Sequence, residues 1–154
     1  IEMIEAVGHR HYDDYFSSCA KLLRPDGLML IQAITMKDQR YTRALKSVDF
    51  IQRYIFPGGS LPSITVIGDC AQRKTDLNIL HLEDIGDHYA QTLKHWRELF
   101  MARLDAVREQ GFDERFIRMW EFYLCYCEGG FRERSIGTAQ ILFAKPAYRS
   151  VFFN

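Results

Sequence analysis

No glycine-rich nucleotide-binding loop occurs in this chain of 154 residues. Parallel α/β sheets hold nucleotides through such a loop after their first strand, and Gly58-Gly59 is an isolated pair that follows a helical stretch. A Cys-x-x-Cys spacing is also missing among Cys19, Cys70, Cys125 and Cys127. Their scatter argues against zinc and for reduced thiols in a cytoplasmic protein, acting as small buried apolar residues. Neither sign of charge dominates: Lys plus Arg equals Asp plus Glu at 20 each. Nucleic acid is therefore not expected as a partner, since its binding usually needs a net basic face. No apolar run reaches the roughly 18 residues of a membrane span, and the visible start carries no secretory signal. His9 and His11 would fall on different faces of a helix, and His88 and His95 have no third ligand, so no metal site is expected. Repeats, low-complexity segments and domain linkers are absent.

What is present is enough apolar sequence, 47%, to fill a core, and 14% aromatic residues that suggest extra surface around a ligand. The most informative stretch is Leu22-Leu23-Arg24-Pro25-Asp26-Gly27 followed by the apolar run Leu28–Ile34. A helix ends, a turn intervenes and a strand begins, the order a parallel α/β sheet requires, with its central strands covered on both faces. Ile1–Gly8 reads as a strand end and its loop, and residues from about 10 to 23 as a helix. Asp38 is placed to cap one long helix through Phe56, ended by Pro57-Gly58-Gly59. Ser63 caps another, running to about Arg73. Leu77–Leu82 is a second strand. Helices are expected from Gly86 to about Gln110 and from Asp113 to about Glu128, with a third strand at Ile136–Ala144. This alternation is an α/β layout, and two helices before the last strand leave room for it to insert antiparallel. Without a nucleotide loop, the chain reads as the second half of a domain whose cofactor-binding half lies before Ile1.

Four stretches carry a resemblance: Glu2-Met3-Ile4-Glu5-Ala6-Val7-Gly8, Tyr54-Ile55-Phe56-Pro57-Gly58-Gly59-Ser60-Leu61-Pro62-Ser63, His88-Tyr89-Ala90-Gln91-Thr92-Leu93 and Phe131-Arg132-Glu133-Arg134. Together they resemble the cyclopropane-fatty-acyl-phospholipid synthases, which include the mycolic acid cyclopropane synthases. The match runs from Ile1 to roughly Lys145. It implies a Rossmann-like class I methyltransferase dependent on S-adenosylmethionine, with residues 1–154 as the C-terminal, lipid-acceptor half: three strands and their covering helices. The S-adenosylmethionine site is then expected before Ile1.

The resemblance also implies a chemistry. The double bond of an unsaturated phospholipid acyl chain attacks the sulfonium methyl, leaving a carbocation, and loss of a proton from the new methyl closes a cyclopropane ring. That reaction needs a dry pocket, an anion near the cation and a base. By resemblance the base is a bound bicarbonate. Glu5 matches the family's glutamate, at a place where such sheets put ligands; read alone, it is a surface loop carboxylate. Gln32 and Ile34 match the pair of bicarbonate-contacting positions, Ile34 through its backbone. Gln32 departs from the histidine of better-known synthases. An amide donates hydrogen bonds but carries no proton, which leaves simple methylation open beside ring closure. Tyr89 matches the family's tyrosine; without the resemblance it belongs to an apolar helical stripe with Leu93, Trp96, Phe100 and Leu104.

Apolar and aromatic residues from Phe116 to Tyr126 wrap most of their helix, which is expected to be buried on several sides. Trp120 and Tyr123 are its candidates for an acyl-chain contact. Arg40, Arg43, Lys46 and Arg53, set among apolar residues, give a basic amphipathic stretch suited to peripheral contact with the inner membrane surface. Two alternatives stand: a methyltransferase of the same fold with another lipid or small-molecule acceptor, and a non-catalytic fragment acting as a binding module. By itself the chain is expected to be inactive, to bind no S-adenosylmethionine, and to self-associate through the exposed edge of the Leu28–Ile34 strand.

Overall fold

The turn at Pro25-Asp26-Gly27 organises the first half of the fold. Gly27 N–H donates to the Arg24 carbonyl at 2.9 Å, and a Cβ on Gly27 would lie 3.0 Å from that oxygen and 3.2 Å from Leu23 Cβ, a tight fit that a larger residue would have to push apart. Before it runs α2 (Tyr12–Leu22), preceded by the short α1 (Ile4–Val7) and a 3₁₀ turn at His9–His11; after it comes β1 (Leu28–Met36). The computed structural model describes residues 1–149. It forms two units, one of Ile1–Asp84 with residues 138–149, the other Ile85–Gly137.

The first unit is the α/β layer. It adds α3 (Asp38–Ala44), α4 (Phe50–Tyr54), α5 (Ile64–Lys74), β2 (Asn78–Asp84) and β3 (Ile136–Ala144). The sheet order is β1-β3-β2. The last strand therefore inserts in the middle, antiparallel to β2 from Asn78 opposite Ala144 to Asp84 opposite Ala139. Lys145 and Ala147 then donate to the carbonyls of Gly27 and Pro25 at 3.0 and 3.1 Å, tying the end of β3 to the turn before β1. Tyr12, Phe16 and Ala20 of α2 share a core with Ile67, Cys70 and Ala71 of α5 and with Ile31, Ala33, Ile141 and Phe143 of the sheet. The Phe16 and Phe143 rings meet edge to face, 5.8 Å between centroids.

The second unit consists of α6 (Gly86–Met101), α7 (Leu104–Glu109) and α8 (Glu114–Arg132). Helices α6 and α8 pack together, with the Tyr89 ring stacked on Phe131 at 4.8 Å. The buried Glu128 carboxylate accepts from Arg132 Nε at 2.8 Å and from Arg97 at 3.4 Å. No helix among the described residues is long and apolar enough to cross a membrane, and none of their His, Cys, Asp and Glu residues form a group of three that could hold a metal ion.

Several expectations are corrected. Ile4–Val7 is a helical turn, not open loop. The long helix expected from Asp38 to Phe56 is two short ones. Asp49 accepts from Gln52 N–H at 2.9 Å, and Gln52 Oε1 accepts from Asp49 N–H at 3.1 Å; this capping box starts α4 afresh. Asp38 does not cap its own helix. It accepts from Thr65 N–H at 3.2 Å, helping Ser63, the expected cap, to satisfy the start of α5. The Gly86–Gln110 helix ends at Met101, because Arg103 turns back onto the Phe100 carbonyl, so Leu104 leaves the Tyr89 stripe; within that stripe Trp96 is 47% exposed. Helix α8, capped by Asp113 as expected, is amphipathic and not buried all round: Ile117, Leu124, Glu128 and Phe131 face inward while Phe122 and Tyr126 are exposed. Of the cysteines only Cys70 is buried, and Cys125 is exposed.

Candidate active site

Glu5 sits on α1, a four-residue helix too short to hold itself. It is fixed from outside. Ser60 N–H donates to the Glu5 carbonyl at 2.9 Å, and the buried Tyr12 hydroxyl donates to the Ser60 carbonyl at 2.6 Å. The Pro57–Ser60 loop reaches α1 because its glycines allow it. Gly58 has φ +85°, and a Cβ on Gly59 would lie 3.1 Å from the Phe56 carbonyl and 3.7 Å from that of Glu5. Gln52 Nε2 closes the loop by donating to the Gly59 carbonyl at 3.0 Å. The Gly58-Gly59 pair therefore braces the helix carrying Glu5.

The side chain is anchored on the other side. Ile34 N–H, near the C-terminal end of β1, donates to Glu5 Oε1 at 2.7 Å. The second oxygen, Oε2, is buried and accepts no hydrogen bond. Burial raises the Glu5 pKa above its ordinary value, the Glu2 carboxylate adds to the rise, and the backbone hydrogen bonds oppose it. A buried acceptor without a donor is uncommon and calls for a ligand or a function. Two residues before Ile34, the Gln32 amide donates from Nε2 to Glu2 Oε1 at 2.9 Å. It accepts on its own oxygen from Gln140 Nε2, also at 2.9 Å.

Glu5 and Ile34 thus meet in the C-terminal half of β1 (Leu28–Met36), and Gln32, at the middle of the strand, is linked to the same opening segment through Glu2. Ile34 contributes its backbone N–H, and that group is engaged by Glu5. Tyr89, Trp120 and Tyr123 belong to the other unit. There Trp120 joins a ladder of rings with Phe116 at 5.7 Å and Tyr123 at 5.0 Å, and Phe112 extends it at 4.2 Å from Phe116. Sequence reasoning missed Glu2, Tyr12, Ser60 and Gln140. For Gln140 a signal existed: it is a lone amide inside the apolar run Ala139–Ala144, and a polar group in such a run needs a partner. A depression of about 380 Å³ lined by Lys21, Arg73, Lys74 and Lys145 contains none of these residues.

The raised pKa has a thermodynamic consequence. The folded state holds the Glu5 proton more firmly than the unfolded chain. The stabilisation is therefore full below the ordinary carboxylate pKa and lost as pH climbs through the raised value. Glu5→Gln keeps an oxygen for Ile34 N–H and removes the buried charge. In the full-length protein, calorimetry should show this variant melting above the parent near neutral pH, with the gap closing toward about pH 3. No gap at neutral pH, or a gap constant across the range, contradicts the burial of an ionised Glu5.

Residues 1–141 match the family described as mycolic acid cyclopropane synthetase. The chain is 49% identical over 140 residues to the tuberculostearic acid methyltransferase of Mycobacterium tuberculosis, covering 91% of this chain and 33% of that protein. It is 34% identical over 146 residues to the cyclopropane-fatty-acyl-phospholipid synthase of Escherichia coli K12, covering 94% and 36%. It superposes with a TM-score of 0.83 and 31% identity on a mycolic acid cyclopropane synthase crystallised with SAH and CTAB, covering 94% of this chain and 53% of that one. It spans about a third of the length of these curated relatives and about half of the solved chain. On this family match, and with the α/β fold it shares with those enzymes, the chain belongs to the mycolic acid cyclopropane synthetase family.

Proposed function

We propose that the protein carrying this chain transfers a methyl group from S-adenosylmethionine to the double bond of an unsaturated phospholipid acyl chain, and that residues 1–154 supply the acceptor side. The observation that carries this reading is the Glu5 carboxylate, held by Ile34 N–H through one oxygen with the other buried and without a donor. S-adenosylmethionine supplies the methyl. Its support is family membership and the SAH bound to a solved relative, and these residues offer no glycine-rich loop for it. A fixed carboxylate in a water-poor place stabilises positive charge developing beside it without having to reorganise.

Bicarbonate fits the same residues. Its O–H would donate to the free Glu5 oxygen, and one of its anionic oxygens would accept the second N–H of Gln32; bound there, it would supply a base. Gln32 itself cannot take a proton. With either product the proton must go to another base; we favour a methyl branch, formed when a neighbouring acyl carbon loses its proton and the double bond re-forms, in keeping with the 49% identical relative named as a methyltransferase. Tyr89, on its sequence motif, belongs to the proposed site. The ring ladder around Trp120 and Tyr123 is the proposed wall for the acyl chain.

Membrane contact is proposed through residues 37–56. Arg40, Arg43, Lys46 and Arg53 are exposed there, as are Val48 at 73% and Phe56 at 57%. The two acidic residues of the segment serve backbone N–H groups, Asp38 that of Thr65 and Asp49 that of Gln52. Basic heads beside exposed apolar groups suit an anionic bilayer surface.

Full-length protein given S-adenosylmethionine with a ¹³C-labelled methyl and vesicles of monounsaturated phospholipid should place the label in the acyl chain. The ¹³C spectrum should still contain olefinic carbons. An unlabelled lipid overturns the transferase reading; a high-field ring CH₂ with the double bond consumed overturns the branch. Separately, reversing Arg40, Arg43 and Lys46 to glutamate should weaken binding to anionic vesicles by about a hundredfold or more, at roughly 1 kcal/mol for each of the three basic residues lost near the surface. Unchanged sedimentation with the vesicles removes this segment as the contact.

A further inference from the structure

We propose that Gln140 is a positioning residue, whose side-chain N–H, donated to Gln32 Oε1, holds the NH₂ end of Gln32 toward the carboxylates of the site. The inference rests on the reading of Glu5 and Gln32 as the acceptor site and deepens it.

A glutamine amide has nearly the same shape after a half-turn about its last torsion, but that turn exchanges an acceptor for two donors. Which end faces a reacting centre is therefore decided by partners and not by packing. Here the partners lie in a line. Gln140 Nε2 donates to Gln32 Oε1, and Gln32 Nε2 donates to Glu2 Oε1, each at 2.9 Å. The line ends on a carboxylate, so every bond in it is polarised the same way and the last is charge-assisted. Glu2 is itself tied to the strand, its N–H donating to the Gln32 carbonyl at 2.7 Å. A flipped Gln32 would set an N–H against the Gln140 N–H and an oxygen against the Glu2 carboxylate, losing two hydrogen bonds and gaining two repulsions.

The placement of Gln140 supports a specific task. It lies on the middle strand of the sheet, between Ala139 and Ile141, which are 3% and 0% exposed and project to the opposite face. From there it reaches across to β1 and Gln32. With the amide so held, one Gln32 N–H is engaged by Glu2 and the second remains for a ligand. The site then offers an anion a donor at this point, and never a second acceptor beside the Glu5 carboxylate.

The test uses Gln140→Met in the full-length protein, a change that keeps the length of the side chain and removes its donor. With ¹⁵N-glutamine labelling, the side-chain NH₂ pair of Gln32 is assigned by its disappearance in Gln32→Ala. In the parent protein this pair should be well dispersed and slow to exchange with water. In Gln140→Met it should collapse toward free-amide shifts and exchange about tenfold or more faster. In the transfer assay kcat should fall about tenfold with KM for the lipid unchanged, and Gln140→Met should add nothing in the Gln32→Ala background. Should Gln140→Met not fold, Gln140→Glu presents only acceptors to Gln32 and should flip the amide, displacing the same resonances. An undisturbed Gln32 pair in the variant that folds, or rate losses that add in the double variant, overturn the proposal. Absence of methyl transfer in the parent protein overturns the transferase reading instead, and the resonances of Gln32 still decide the role of Gln140.

Discussion

The hydrogen bond from Ile34 N–H to Glu5 is the constraint on which the candidate site depends. In a strand, the carbonyl of one residue and the N–H two residues later face the same side. On β1 those groups are the Gln32 carbonyl and the Ile34 N–H, and both are used by the opening residues of the chain: Glu2 N–H meets the first and the Glu5 carboxylate the second. The C-terminal end of β1 is thereby sealed on that side by residues 2–5. Backbone groups left open on a strand edge are both a cost and a hazard. Here their satisfaction and the placement of a carboxylate are achieved by the same contact.

The arrangement is braced because it stores unfavourable features. One Glu5 oxygen is buried without a donor, and burial disfavours its charge. Glu2 has φ +52°, in the left-handed region where a side chain is strained. Nothing local to the four-residue α1 offsets these costs. The offset comes from the Tyr12–Ser60–Glu5 hydrogen bonds, from the Gly58-Gly59 loop, and from a core in which Phe16, Ile141 and Phe143 are fully buried. Stability given up at a site and recovered in the surrounding packing is the usual accommodation of function in a fold.

How much of this the sequence discloses depends on whether the signal is local. Pro25-Asp26-Gly27, Ser63 and Asp113 act on their own neighbours, and the elements they bound stand where the residues indicate. The Ile136–Ala144 strand is read to the residue and its antiparallel insertion is foreseen. The break at Leu45–Asp49 was equally local, a capping box of Asp49 and Gln52, but the apolar spacing around it masks it. Periodicity misleads at α8, where aromatic residues on several faces suggest burial all round, yet Phe122 and Tyr126 are exposed. The partnerships of the site are hardest to read. Glu5 and Gln32 stand out through the family resemblance, whereas Gln140, 108 residues beyond Gln32, meets it only through the strand order. No pattern within one element can show such a pairing.

The carboxylate of Glu5 is proposed to mark where positive charge develops on the acceptor. A crystal structure of the full-length protein with SAH and a single-chain quaternary ammonium lipid tests it most directly, because the ammonium head imitates the cation formed on methyl transfer. The head is expected in contact with the free oxygen of Glu5 at the C-terminal end of β1, with Gln32 alongside. A head seated elsewhere, with Glu5 facing only protein, would contradict the assignment of this end of the sheet as the reacting centre.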